Sequence, residues 1–221
     1  MRKTMLAACL LSSFVATAGA QSSEAAYSPT GLRPFIGVGL AAGGDTLLRV
    51  QETVGGNSTG KQSNIRAGDG LDLRLGLSLR LSNLPLSLQT AVAYHNDQTN
   101  GIDNTKYRFR RIPVEATLLW HATDRARIGF GVRKSTQPTV KIDNGIRQGT
   151  RVNAKIDMKA STGFILEGEY AVTPGWSLKG RYVFETFRPK DPDGLASDFL
   201  ENGGDKVKGD HFAIQSVWYL N

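Results

Sequence analysis

Cysteine is almost missing: Cys9 is the single thiol in 221 residues, and only three histidines accompany it, His95, His121 and His211. If Cys9 is removed with a leader, disulfides and thiol chemistry are excluded altogether. Long apolar runs are also lacking. After residue 20 no window approaches the ~18 consecutive apolar residues that a transmembrane helix needs, so the chain crosses a bilayer with strands or not at all. Charge is only mildly one-sided, 27 Lys and Arg against 20 Asp and Glu. Such an excess gives no ground for a nucleic-acid partner.

The first residues carry a compartment signal. Arg2 and Lys3 precede an apolar run, and Ala18-Gly19-Ala20 before Gln21 forms a small-residue cleavage site. Residues 1–20 are therefore expected to leave as a secretory signal peptide. Leu6-Ala7-Ala8-Cys9 offers a second option, a lipoprotein box with an acylated Cys9, but only eight residues precede that cysteine and the apolar run continues past it.

What the chain does have is alternation. Leu71, Leu73, Leu75, Leu77, Leu79 and Leu81 recur at period two, interleaved with Asp72, Arg74, Gly76, Ser78 and Arg80. Successive side chains of a strand leave opposite faces, so one face here is leucine and the other charged or small. Taken alone, the segment fits a half-buried soluble strand or a tilted membrane-spanning strand of about 9 to 11 residues. Recurrence favours the second. Segments at 34–42, 70–82, 86–95, 106–121, 126–134, 161–172, 176–187 and 211–220 make eight, with 46–51 and 152–160 as possible upward extensions. Ser82–Pro85, Ala122–Arg125 and Thr173–Gly175 read as tight turns, and between them lie connections of roughly 27, 10, 26 and 23 residues. Short connections alternating with long ones predict an all-β, eight-stranded, antiparallel up-and-down transmembrane β-barrel with short periplasmic turns and long extracellular loops. On this reading residues 21–33 form a short N-terminal periplasmic segment and 34–221 the barrel.

Strand phase follows from energetics, because an Arg or Lys facing lipid near the midplane costs about 2 to 4 kcal/mol. The apolar parity, for example Ile36, Leu88, Val114, Phe130, Leu166, Leu178 and Ile214, must face outward. The inward parity then collects Asp72 and Arg133 together with an expected interior charge network of Arg74, Arg80, Arg111, Glu115, Arg127, Glu167, Glu169, Lys179, Arg181 and Glu185. The fourth segment changes phase between Phe109 and Ile112, which predicts a bulge or an aqueous upper end. Trp120, Tyr170, Trp176, Trp218 and Tyr219 fall at the short-turn end as an interfacial girdle, with Tyr94, Tyr107, Phe109, Phe187 and Phe212 as its opposite number.

Phe109-Arg110-Arg111-Ile112-Pro113-Val114-Glu115, Arg127-Ile128-Gly129-Phe130-Gly131-Val132-Arg133 and the Thr-Pro-Gly-Trp turn within 163–187 are the stretches by which the chain resembles the small outer-membrane β-barrel family of OmpA-like transmembrane domains. The resemblance spans residues 31 to 221 and implies an outer-membrane location in a Gram-negative envelope, assembly by the barrel-assembly machinery and no defined activity. Such barrels commonly end on an aromatic residue, whereas this chain ends Trp218-Tyr219-Leu220-Asn221.

The chemistry that remains is sparse. An eight-stranded barrel is just wide enough for side chains to fill, so the interior charges are expected to pair, with Arg74, Arg111, Glu115, Glu167, Lys179 and Arg181 in one network. The alternative is a narrow gated pore for ions or small solutes. A basic loop at 134–159, with Lys134, Lys141, Arg147, Arg151, Lys155 and Lys159, suits lipopolysaccharide phosphates or an anionic host polymer, or is simply a solvated hairpin whose charges protect its edges. Asp191-Pro192-Asp193-Gly194 with Asp198 and Glu201 does not match a calcium loop, and Gly55-Gly56-Asn57-Ser58-Thr59-Gly60 reads as a loop tip with no following helix. No metal and no cofactor are expected. Catalysis would need a nucleophile within reach of a base; Ser87 and Ser216 lie several residues of strand rise from His95 and His211, and His121 sits beside a turn. A lipid-modifying enzyme is therefore disfavoured, as is a soluble lipocalin-like barrel, whose cavity would want apolar residues inside. The expected protein is a monomeric, non-enzymatic outer-membrane barrel with a structural or surface-interaction role.

Overall fold

The computed structural model describes residues 27, 29–54, 57–100, 105–147, 150–191, 193 and 199–220, so the expected signal peptide lies outside the described residues. In chain order the strands are β1 (Gly31–Gly43), β2 (Thr46–Val54), β3 (Asn57–Arg66), β4 (Gly70–Arg80), β5 (Leu86–Asn100), β6 (Lys106–His121) and β7 (Ala126–Arg147). There follow β8 (Thr150–Ala160), β9 (Thr162–Thr173), β10 (Trp176–Phe184), β11 (Thr186–Pro189), β12 (Val207–Lys208) and β13 (His211–Tyr219). Eight of these close on themselves in the order β1-β4-β5-β6-β7-β9-β10-β13, every neighbour antiparallel, and β13 returns to β1 through Phe35↔Tyr219 to Gly43↔His211. Closure leaves the barrel no free edge.

The period-two pattern becomes an inside and an outside. Leu75 is 63% exposed, Ile214 60% and Ile128 59%, whereas Arg74, Arg127 and Gln215, one residue away on the same strands, are buried. Exposed large apolar side chains occur on all eight barrel strands. A soluble protein rarely shows apolar patches beyond a few hundred Å²; a continuous apolar belt around a polar interior is stable in the hydrocarbon of a bilayer. The chain thus folds as a transmembrane β-barrel.

Above the belt, most of the chain expected as long loops is sheet. β5, β6 and β7 continue upward, β8 pairs with β7, and β11 and β12 extend that sheet, while β2 and β3 form a separate hairpin. These elements bury a second apolar core of Leu47, Leu48, Ile65, Phe109, Val140, Ile142, Ile156, Met158, Phe187 and Val207, as a soluble domain does. It caps the barrel mouth, and the segment 134–159 is consequently a two-stranded arm of the cap and not a loop.

Boundaries and phase also differ from expectation. β1 begins at Gly31, so 31–33 belong to the barrel and not to a periplasmic segment; β4 ends at Arg80, and β10 stops at Phe184. β6 keeps one phase throughout, with Phe109, Arg111, Pro113 and Glu115 all buried. The bulge lies on its partner: between Arg110↔Thr139 and Ile112↔Thr136 strand β7 holds one extra residue, and Gln137 takes a φ of 50°. Inward positions on β7 are odd up to Ser135 and even from Pro138, which turns Val140 and Ile142 into the cap core. Tyr107, Phe109 and Phe187 accordingly pack in the cap and do not form an upper girdle.

Ile142→Ala should destabilise the cap by about 2 to 5 kcal/mol through the cavity it leaves. Limited proteolysis of the detergent-solubilised protein is expected to cut within the cap strands while the barrel keeps its heat-modifiable gel migration.

Candidate functional site: a neutralised interior beneath a basic cap

Barrel register places opposite charges beside one another across strands. Glu115 faces Arg133, Glu167 faces Arg181, and Glu169 faces both Lys179 and Arg127. Cross-strand opposition of this kind is the sheet's cheapest way to bring an acid to a base. Glu115 is the hub: its carboxylate lies 3.0 Å from Arg74 Nη1, 2.9 Å from Arg181 Nη2 and 3.4 Å from Arg133 Nη1. Arg74 also donates to Asp72 at 3.0 Å. Lys179 Nζ bridges Glu167 at 2.8 Å and Glu169 at 3.2 Å, and Arg127 reaches Glu169 at 3.3 Å. Toward the mouth, Glu185 lies 3.3 Å from both Arg111 and Arg133. Arg74, Arg111, Arg127, Arg133, Lys179 and Arg181 therefore meet Asp72, Glu115, Glu167, Glu169 and Glu185 in one connected chain, all buried.

Room for these long side chains comes from glycine. A Cβ at Gly37 would stand 2.6 Å from Arg74 Cγ, and one at Gly163 3.1 Å from Arg133 Cγ. At the mouth the Arg111 guanidinium lies between the rings of Phe109 and Phe187, at 5.3 and 5.1 Å from their centroids, and donates to the Ala67 carbonyl. His95 and His211 sit beside it, ring centroids 5.3 Å apart. The ion-paired interior thus passes directly into the cap core.

Two expected placements need correction. Arg80 stands apart from the network at the turn end, half-buried, with Nε and Nη1 lacking hydrogen-bond partners among the described residues. Tyr219 does not belong to the girdle. Period two turns Trp218 and Leu220 outward, so Tyr219 points in, where its hydroxyl donates to Glu169 at 2.6 Å and accepts from Gln89 Nε2 at 2.7 Å. Trp120 and Tyr170 are about half exposed on the outer wall. Trp176 is partly buried and donates from Nε1 to Ser216 Oγ at 2.6 Å. Asp72 and Arg133, left out of the expected network although their parity pointed inward, are integral to it.

Ser87 and His121 form a pair that strand spacing did not suggest, Oγ to Nε2 2.7 Å, because the start of β5 and the end of β6 run side by side, Leu86 facing Trp120, at the end of the barrel opposite the β5–β6 connection. Both are buried, and His121 Nδ1 has no hydrogen-bond partner among the described residues. Among the described residues no carboxylate hydrogen-bonds the ring, so the pair lacks there the third group that activates a nucleophile.

On the cap, the outer face of the sheet is basic. Register sets Arg108 (β6) beside Lys141 (β7) and Lys141 beside Lys155 (β8), with Lys159 beside Arg188 (β11) further down. Like charges directly opposed are destabilising. The carboxylates among them are Asp143, 3.6 Å from Arg108, and Asp157, 3.0 Å from Lys155. The Lys155 hydrogen bond holds the Asp157 carboxyl below the usual carboxylate range. Lys134 lies lower, donating to the Ala160 carbonyl at 2.6 Å, and Arg151 is exposed on β8. The side chain of Arg147 lies outside the described residues, as do Gly55, Gly56, Pro192, Gly194 and Asp198. Glu201 pairs with Arg49 at 3.1 Å. Among the described residues no cluster of three or more His, Cys, Asp or Glu could hold a metal.

A closed antiparallel barrel with an apolar belt and an ion-paired interior defines the class: a small eight-stranded β-barrel of the outer-membrane type. Among solved structures the chain is similar to Ail, the attachment invasion locus protein of Yersinia pestis, at 11% identity over 87% of this chain and 100% of that one, with a TM-score of 0.49. Ail has also been solved with the heparin analogue sucrose octasulfate, at 12% identity, 86% and 97% coverage and a TM-score of 0.46. Neisserial surface protein A is similar at 12% identity, 86% and 97% coverage and a TM-score of 0.45. No protein-family model matches the chain, and no curated protein sequence does.

Removing the Glu115 carboxylate leaves three buried guanidiniums short of a counter-charge, a loss of about 3 to 5 kcal/mol. Glu115→Ala should therefore lower the thermal unfolding midpoint in detergent, measured by circular dichroism, well below that of an outward Val114→Ala control.

Proposed function

We propose that this chain is a sealed outer-membrane barrel that serves as a rigid pedestal for an extracellular basic sheet, and that the sheet binds anionic surface glycans bearing phosphate or sulfate. The observation that carries the proposal is the row Arg108, Lys141, Lys155 on three adjacent strands. Sheet stability gains nothing from opposing these cations; a polyanion laid across the strands would meet Lys141 and add to the single carboxylates, Asp143 and Asp157, that Arg108 and Lys155 already face. The separate cap core fixes the row in place, so little conformational freedom is lost on binding. Lipopolysaccharide phosphates of the same envelope and the sulfates of a host polymer offer the same chemistry.

An ion-paired interior and a packed cap argue for a structural role of the barrel lumen and against the pore alternative. The Ser87–His121 pair, buried and lacking a third group, argues against hydrolysis. Surface interaction is the function best supported.

The test is salt elution from immobilised heparin. Arg108→Gln/Lys141→Gln/Lys155→Gln should elute at markedly lower salt than the parent, because surface electrostatic attraction is screened within about 10 Å at 0.1 M salt. Equal elution would reject the row as the binding face. Binding to lipopolysaccharide-coated beads, run alongside, separates envelope phosphate from host sulfate. In planar bilayers the parent is expected to show no steady conductance steps, and regular steps would restore the pore.

A further inference from the structure

A second cationic cluster lies lower, where the cap meets the apolar belt. Lys134 is the next outward residue above Val132 on β7, and its Nζ reaches the Ala160 carbonyl at 2.6 Å, over the break between β8 and β9. The preceding residue, Lys159, opposes Arg188 across β8 and β11. All three side chains are exposed, and no carboxylate among the described residues stands within ion-pair distance of any of them. Lys134 keeps two of its three N–H donors free of that carbonyl.

Immediately below, the lipid-facing wall is indented. Small side chains at Thr90 and Ala116 stand in register between Leu77 and Val132. The resulting groove, about 820 Å³, presents an almost wholly apolar surface, although Thr90, Glu115, Arg133 and Thr162 also border it, and Lys134 lies at its upper end. From Leu77 on β4 to Val132 on β7 it crosses three strand spacings, roughly 14 Å. An apolar trough in the hydrocarbon with positive charge at the headgroup level is complementary to one kind of molecule. We infer that Lys134, Lys159 and Arg188 hold the phosphate of an outer-leaflet lipid whose acyl chain lies in the groove between Leu77 and Val132.

This site is distinct from the glycan-binding row above it, and it requires only that the barrel span a membrane. A soluble phosphate would meet the cations but gain nothing from the groove; the acyl chain is what selects a lipid. Each basic group near a membrane surface contributes about a factor of five to attraction for an anionic lipid, so neutralising three should weaken binding roughly a hundredfold.

The experiment titrates bis-phosphorylated lipid A into the full chain in zwitterionic detergent and counts retained lipid by native mass spectrometry. The parent should retain one lipid A at concentrations where Lys134→Gln/Lys159→Gln/Arg188→Gln retains none, with heat-modifiable migration unchanged in both. Ala116→Phe, which fills the groove floor without touching charge, should weaken lipid A retention and leave heparin elution as in the parent. Arg108→Gln/Lys141→Gln/Lys155→Gln should retain lipid A normally, which separates this site from the upper row. Parental retention by the rim variant would overturn the proposal. So would parental retention by Ala116→Phe, since only a headgroup contact would then remain.

Discussion

A guanidinium enclosed in an eight-stranded barrel is cut off from bulk water, and much else in this molecule is arranged around that constraint. Buried charge is tolerable only when matched, and Glu115 answers Arg74, Arg133 and Arg181 at once. The matching is achieved by register and not by side-chain search: Lys179 opposite Glu169 and Arg181 opposite Glu167 follow from pairing β9 with β10 in one alignment. A slip of one residue would turn the charges to lipid and the leucines inward. The same ion pairs that fill the lumen therefore select the register of the wall.

Continuity between membrane and cap rests on a few residues at the mouth. Glu185 and Arg111 complete the ionic chain, and Arg111 then enters the aromatic slot of Phe109 and Phe187 in the cap core. The bulge at Gln137 lets β7 serve two environments, with Arg133 inward in the barrel and Lys141 outward in the cap, although both are odd positions. Without the extra residue Lys141 would point into the cap core. The place of Lys141 on the basic outer face is thus a consequence of the bulge.

Much of the barrel was legible. The bounds of β6 agree with the expected 106–121, and the leucine ladder of β4 faces outward as lipid-exposure costs require. The interior set was legible for the same reason, parity, with Asp72 and Arg133 underused. Tyr219 was misread because its aromatic type suggested an interface while its parity said interior; parity prevails where a wall is one strand thick. The cap was not legible. Val140, Ile142, Ile156 and Val207 come from separate stretches of the chain, and each short apolar alternation looks like an unremarkable loop until Phe109 and Phe187 supply the rest of the core.

Sequence by itself determined which side chains of each strand face lipid and which face inward, because side-chain alternation is local and the cost of a charge in hydrocarbon is large. Tertiary structure alone decided which acid meets which base, that the upper segments fold into a cap, and that scattered lysines and arginines become one basic face. Those outcomes depend on register between strands distant in sequence and on a single-residue bulge. No local pattern encodes either.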